Sequence, residues 1–188
     1  MPLTTLDDRT ALVVIDLQRG VLALPTAPYG SAEVLARTVE LADAFRAAGR
    51  PVVLVRVTSA APGRTESMRP PGSRPAGWDV LAEALAGHPE DVVVTKHTWG
   101  AFHATDLDLQ LRRRGITQIV LAGIATSAGV ESTARAAHEH GYSVTLAVDA
   151  MTDLDAEMHR HSVAKVFPRL GETGTTADVL ALLAAAPV

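Results

Sequence analysis

The chain has 188 residues, no cysteine, and 17 lysines and arginines against 21 aspartates and glutamates, a net charge of −4. Its length fits one domain, residues 1–188, and 47% hydrophobic with 20% charged residues fits a globular fold and argues against disorder. The missing cysteine excludes disulfides, thiolate metal sites and a cysteine nucleophile, and the slightly acidic balance leaves no footprint for nucleic acid.

Met1–Asp8 is polar and lacks the basic-then-apolar order of a signal peptide. No apolar run approaches the ~18 residues of a spanning helix. A cytoplasmic protein with no membrane partner is therefore expected. The first predicted strand is Ala11–Asp16 (ALVVID). A helix follows over Ser31–Ala48, where Leu35, Val39, Ala42 and Phe45 recur on one face. Ser31 is placed to cap it and Gly49 to stop it. Pro51–Val57 is the second strand. Ser59–Gly77 is rich in proline and carries Arg64, Arg69 and Arg74, with Arg56 just before it. It is too long for an ordinary connection and reads as a functional lid or a surface loop.

Trp78–Ala86 is predicted as a short helix and Asp91–Thr95 as the third strand. Thr105–Arg114 alternates like a strand, but Asp106 and Asp108 at its start and Arg112, Arg113 and Arg114 at its end suit a helix dipole, so a helix is predicted. Ile116–Gly123 is the fourth strand and Val130–His140 a helix closed by Gly141. Ser143–Val148 is the fifth strand. Asp155–Val166 is a helix, a short strand follows, and Thr176–Ala185 is the last helix, capped by Thr175. The strands are nearly continuous in apolar residues, the pattern of a parallel sheet covered on both faces. Alternation with helices makes the fold class α/β, with right-handed crossovers.

In open α/β sheets ligands bind beyond the carboxyl ends of the strands. Those ends carry Asp16 and Gln18 after the first strand and Thr58 and Ser59 after the second. Lys96, His97 and Trp99 follow the third, Thr126, Ser127 and Gly129 the fourth, and Asp149 and Asp153 the fifth. Asp16 and Lys96 could pair on this rim. Lys⁺ would lower the carboxyl pKa and burial would raise it. The turn at Gly129 opens a helix whose N-terminus favours an anion or a developing oxyanion. G-x-S-x-G, phosphate-binding glycine loops and H-E-x-x-H are all absent. His138 with His140, and His159 with His161, are two apart within helices, which is poor ligand geometry and reads as solvated surface. His97 and His103 lie near the rim and stay open as substrate contacts.

Three segments, VVIDLQRGVL (Val13–Leu22), TKHTWGAFHATDL (Thr95–Leu107) and AGIATSAGVESTARAAHEHGYSVTLAVDAMTD (Ala122–Asp153), resemble the isochorismatase-like hydrolase superfamily. The resemblance implies a three-layer α/β/α sandwich with about six strands in the order 3-2-1-4-5-6. It also implies a cis peptide at Ile124–Ala125, a homodimer or larger homo-oligomer, a small-molecule substrate and no cofactor. Most members carry an Asp–Lys–Cys triad. The first two map to Asp16 and Lys96, and the cysteine position maps to Gly129. Thioester chemistry is thereby closed. No metal site is implied, because Arg56–Thr65 holds neither Asp nor His where nicotinamidase-like members place ligands.

True isochorismatases also lack the cysteine. By that resemblance Asp16 is the general acid for vinyl-ether hydrolysis, Lys96 orients it, and Gly129 provides room. Substrate contacts are expected from Gln18, Trp99, Phe102, His103, Thr126 and Ser127, and carboxylates could be held by the arginines of Arg56–Arg74. Two alternatives stand beside this reading. One is an amide or ester hydrolase using Ser127, Ser132 or an activated water. The other is a binding or assembly homologue without activity.

Overall fold

The computed structural model describes residues 3–66 and 74–185. One six-stranded sheet is built from β1 (Thr10–Ile15), β2 (Val52–Val57), β3 (Val92–Lys96), β4 (Gln118–Ile124), β5 (Ser143–Thr152) and β6 (Glu172–Gly174). All pairings are parallel, in the order β3-β2-β1-β4-β5-β6. The helices are α1 (Arg19–Leu22), α2 (Ser31–Ala47), α3 (Leu107–Arg113), α4 (Glu131–Glu139), α5 (Ala156–His161) and α6 (Thr176–Ala185).

The pleat sorts each strand between two cores. Leu12 and Val14 of β1 face one way and join Val34, Leu41 and Phe45 of α2 with Val179 and Leu183 of α6. Ala11, Val13 and Ile15 face the other and join Leu107 and Leu111 of α3 with Ala134 and Ala137 of α4. Both faces of the central strands β1 and β4 are thus dry, which is why their runs are continuously apolar, whereas on the edge strand β3 Val93 is exposed, contrary to the burial its apolar run suggests. This is the α/β/α sandwich that the sequence resemblance implies.

Some boundaries differ from the sequence reading. Gly30, not Ser31, caps α2, and Ser31 Oγ instead donates to the Leu22 carbonyl at 2.8 Å. Trp78–Ala86 is a run of turns with no helix. Its backbone is committed elsewhere: the carbonyls of Trp78 and Val80 accept from Gly20 and Arg19, and Ala82 donates to Leu17. β5 runs four residues beyond Val148, past an irregularity in its register with β4. Asp149 therefore lies within the strand, and its carboxylate accepts from the Thr176 N–H at 2.6 Å, at the start of α6. The helix from Asp155 gives way after His161 to a wider π-type turn over Ser162–Val166. Thr175 does cap α6, exchanging hydrogen bonds with Asp178 in a capping box.

Arg69, Pro70 and Pro71 of the segment read as a lid or surface loop, and residues 186–188, lie outside the described residues. Among the described residues no helix is long and apolar enough to cross a membrane. Phe45 is fully buried between α2 and the sheet. Its truncation to alanine is expected to cost about 3–5 kcal/mol. Urea unfolding measures this, and an unchanged midpoint would contradict the packing described.

Candidate active site

β1 ends where its carboxyl end meets the rim. Asp16 takes φ +55, in the left-handed region that Asp tolerates better than most residues. Its N–H still bonds the Val55 carbonyl of β2 at 2.9 Å, so it belongs to the sheet edge while its side chain turns upward. Alongside, Gly123 of β4 has φ +122, and a Cβ there would fall 2.1 Å from the Ile15 carbonyl oxygen. Only glycine permits β4 to approach β1 so closely beside Asp16.

Lys96 is the last residue of β3, two strands away from β1. Its side chain crosses the end of β2 to place Nζ 2.8 Å from Asp16 Oδ2, and Nζ also donates to the Trp99 carbonyl at 2.5 Å. Lys96 is 1% and Asp16 6% exposed. Asp16 Oδ1 is buried with no hydrogen-bond partner. Burial pushes the Asp16 carboxyl up to about 6, and the charge and hydrogen bond of Lys96 only partly oppose it. An acid poised there can give a proton near neutral pH and recover it.

After β4 the Ile124–Ala125 peptide is cis. A π-type turn over Thr126–Val130 then leads into α4 and carries Gly129 over the pair. A Cβ at Gly129 would lie 2.9 Å from Ile15 Cγ2, 3.1 Å from Lys96 Nζ and 3.3 Å from Asp16 Oδ2. The glycine thus sits beside both charged groups, and a side chain there would press on Ile15 and crowd the pair. Asp16, Lys96 and Gly129 line one cavity of about 250 Å³, walled by Val57, Ile124 and Leu154. Trp78, Trp99, Ser59 and Arg74 complete its rim, with the Arg74 guanidinium 4.0 Å over the Trp78 ring. A larger depression of about 690 Å³, bordered by Thr10, Gly49, Val52 and Ile116, lies at the opposite end of the strands. It contains neither Asp16 nor Lys96, so the smaller cavity is the candidate site.

The other sequence candidates are distributed differently. Trp99 is on the cavity wall and 66% exposed. Gln18 is buried and its amide is spent on β2: Nε2 donates to the Val57 carbonyl at 2.9 Å and Oε1 accepts from the Val57 N–H at 2.8 Å. Phe102 stacks on His140 with ring centroids 5.1 Å apart, away from the cavity. His103 is exposed and does not line it either. Thr126 is buried and bonds His159, while Ser127 donates its N–H to Asp153 Oδ2 at 2.6 Å. His159 itself is buried, not solvated surface, because α5 turns that face onto the turn before Gly129. Arg56 contacts Thr95 and Asp79 rather than the cavity. Trp78 and Leu154 have no motif signal. Only their position after a glycine and at the end of a long strand hinted at the rim.

Among the described residues no group of three or more His, Asp or Glu side chains is placed to hold a metal ion. What fold and site define is a doubly wound α/β domain with a buried carboxylate–ammonium pair at its carboxyl rim and a glycine against it. A family model described as the isochorismatase domain matches residues 10–178. The chain is 44% identical over 178 residues to the isochorismatase family protein YecD of Escherichia coli O157:H7, covering 91% of this chain and 94% of that one. It is 31% identical to the ureidoacrylate amidohydrolase RutB of Methylobacterium radiotolerans, covering 84% and 72%. A solved isochorismatase family protein from Burkholderia thailandensis superposes with a TM-score of 0.91 at 47% identity, covering 96% and 98%. The chain belongs to the isochorismatase family.

Replacing Lys96 by methionine removes both influences that lower the Asp16 carboxyl and keeps the burial that raises it. The Asp16 midpoint is therefore expected to rise further above about 6. A ¹³C NMR titration of the carboxyl carbon tests this, and a midpoint that falls would refute the stated balance.

Proposed function

We propose that the chain hydrolyses an enolpyruvyl-type vinyl ether of a small anionic molecule, with Asp16 as general acid. The single observation that carries this reading is a buried, partly unpartnered Asp16 carboxyl, raised to about 6, facing a cavity in which Gly129 offers no nucleophile. In the reaction the Asp16 proton passes to the terminal vinyl carbon and leaves an oxocarbenium ion. Water adds to that ion and gives up a proton, which restores Asp16. The resulting hemiketal then collapses to pyruvate and the free alcohol. Such a step needs acid, water and charge stabilisation, but no covalent intermediate. General-acid catalysis of this kind contributes about 10²–10⁴-fold. Lys96 holds Asp16 in place and offers a cation to substrate carboxylates. Arg74 on the rim supplies a second cation, with a fork suited to a carboxylate.

A second reading is favoured by the likeness to RutB, named as an amidohydrolase. There Asp16 would act as a base that activates water toward a small amide. The two readings predict opposite pH limbs. An acid must hold its proton, so kcat/KM falls as pH rises above about 6; a base must have lost it, so kcat/KM rises through the same midpoint.

Purified protein is expected to release pyruvate from isochorismate or a related vinyl ether, followed with lactate dehydrogenase. Asp16→Asn, which keeps the shape and cannot give up a carboxyl proton, is expected to lower kcat by at least about 10²-fold. No pyruvate across a panel of vinyl ethers would sink the reading. A rate that climbs with pH through about 6 on an amide substrate would transfer it to the base mechanism.

A further inference from the structure

The turn that carries Gly129 is tied from three directions. Thr133 Oγ1 in α4 donates to the Gly129 carbonyl at 2.7 Å, and Asp153 beyond β5 accepts from the Ser127 N–H. The third tie comes from α5. His159 Nδ1 lies 2.8 Å from Oγ1 of Thr126, the first residue of the turn. Both side chains are buried, and the imidazole meets the Tyr29 ring edge-on at 5.9 Å between centroids.

α5 is itself fixed at its start, where Asp155 accepts from the Glu157 N–H. His159 therefore projects inward from a capped helix and not from a free loop. In the neutral tautomer that carries its proton on Nε2, His159 Nδ1 accepts from the Thr126 hydroxyl. Burial favours that neutral form and outweighs the Asp153 carboxylate, which favours the cation. A neutral acceptor in an apolar setting gives the hydroxyl a partner that it would otherwise lack.

We propose that His159 is a positioning residue: through Thr126 it holds the Thr126–Val130 turn so that Gly129 stays beside Asp16 and Lys96 and limits the access of water to their pair, a role that rests on reading this pair as the working site. Gly129 has no side chain with which to hold itself there. Its place beside the two charged groups depends on the ties to its neighbours. Without the His159 tie the turn can lift, water reaches Asp16, and the carboxyl moves toward its ordinary range.

Three variants test this: His159→Phe, which keeps a ring and removes the acceptor; Thr126→Val, which removes the hydroxyl; and His159→Asn, which returns an acceptor oxygen near the Nδ1 position. Each is titrated at the Asp16 carboxyl carbon by ¹³C NMR, without substrate, and assayed for pyruvate release. In the Phe and Val variants the Asp16 midpoint is expected to fall from about 6 toward the ordinary carboxylate range. Their kcat is expected to drop by about 10²-fold with KM little changed, the size of effect that misplacement of a reacting group produces. His159→Asn is expected to restore both. An Asp16 midpoint unmoved in folded His159→Phe and Thr126→Val proteins overturns the proposal, as does an Asn variant that behaves like Phe. A displaced midpoint in a protein whose wild type releases no pyruvate supports the role of His159 and counts against the vinyl-ether reading alone.

Discussion

The ion pair between Asp16 and Lys96 is the constraint around which the carboxyl end of the sheet is arranged. Two opposite charges taken out of water lose hydration that their attraction repays only with good geometry and further hydrogen bonds. Here Lys96 Nζ has two acceptors, but one carboxylate oxygen of Asp16 has none. The pair is incompletely satisfied, and hydrophobic residues of similar volume could fill the space with less cost. Such an arrangement is better explained by chemistry than by stability. It also dictates the neighbours: Gly123 allows β4 to close on β1, Gln18 stitches the chain after β1 to β2, and β2 is the strand that Lys96 must cross.

The electrostatics of the site follow from how it is enclosed. A surface Asp beside a Lys would have its pKa lowered; Asp16 is raised because desolvation exceeds the attraction. The agents of that desolvation are apolar residues with no chemistry of their own. Ile15 near Gly129 and Val57, Ile124 and Leu154 on the cavity wall help to set the acidity of the Asp16 carboxyl. By the sequence resemblance, position 129 is where most members carry a cysteine. In this chain a glycine stands there, and a side chain in its place would crowd the charged pair.

Much of this was legible in the sequence because buried parallel strands have an unambiguous signature. Ala11–Ile15 and Val52–Val55 are buried on both faces, and the charges of Thr105–Arg114 outweigh its period-two pattern. Asp16, Lys96 and Gly129 could be placed because strand ends and sites coincide in this fold. What was not legible depended on contacts between distant segments. Trp78–Ala86 has helical composition, but its carbonyls are claimed by residues 19 and 20. Gln18 and Thr126 stand at the rim in sequence and turn inward in space, one to β2 and one to His159. His159 looks like half of a surface pair until α5 is docked.

The chain has only two tryptophans, Trp78 and Trp99, and both stand on the wall of the same cavity. One lies beneath an arginine guanidinium and the other is largely open to solvent. All the indole emission of the protein therefore originates at the mouth of this cavity. A molecule that enters, displaces solvent from Trp99 or draws Arg74 off Trp78 alters the optical signal of the whole protein. The cavity thus contains its own reporter, and occupancy can be followed by light before any product is known.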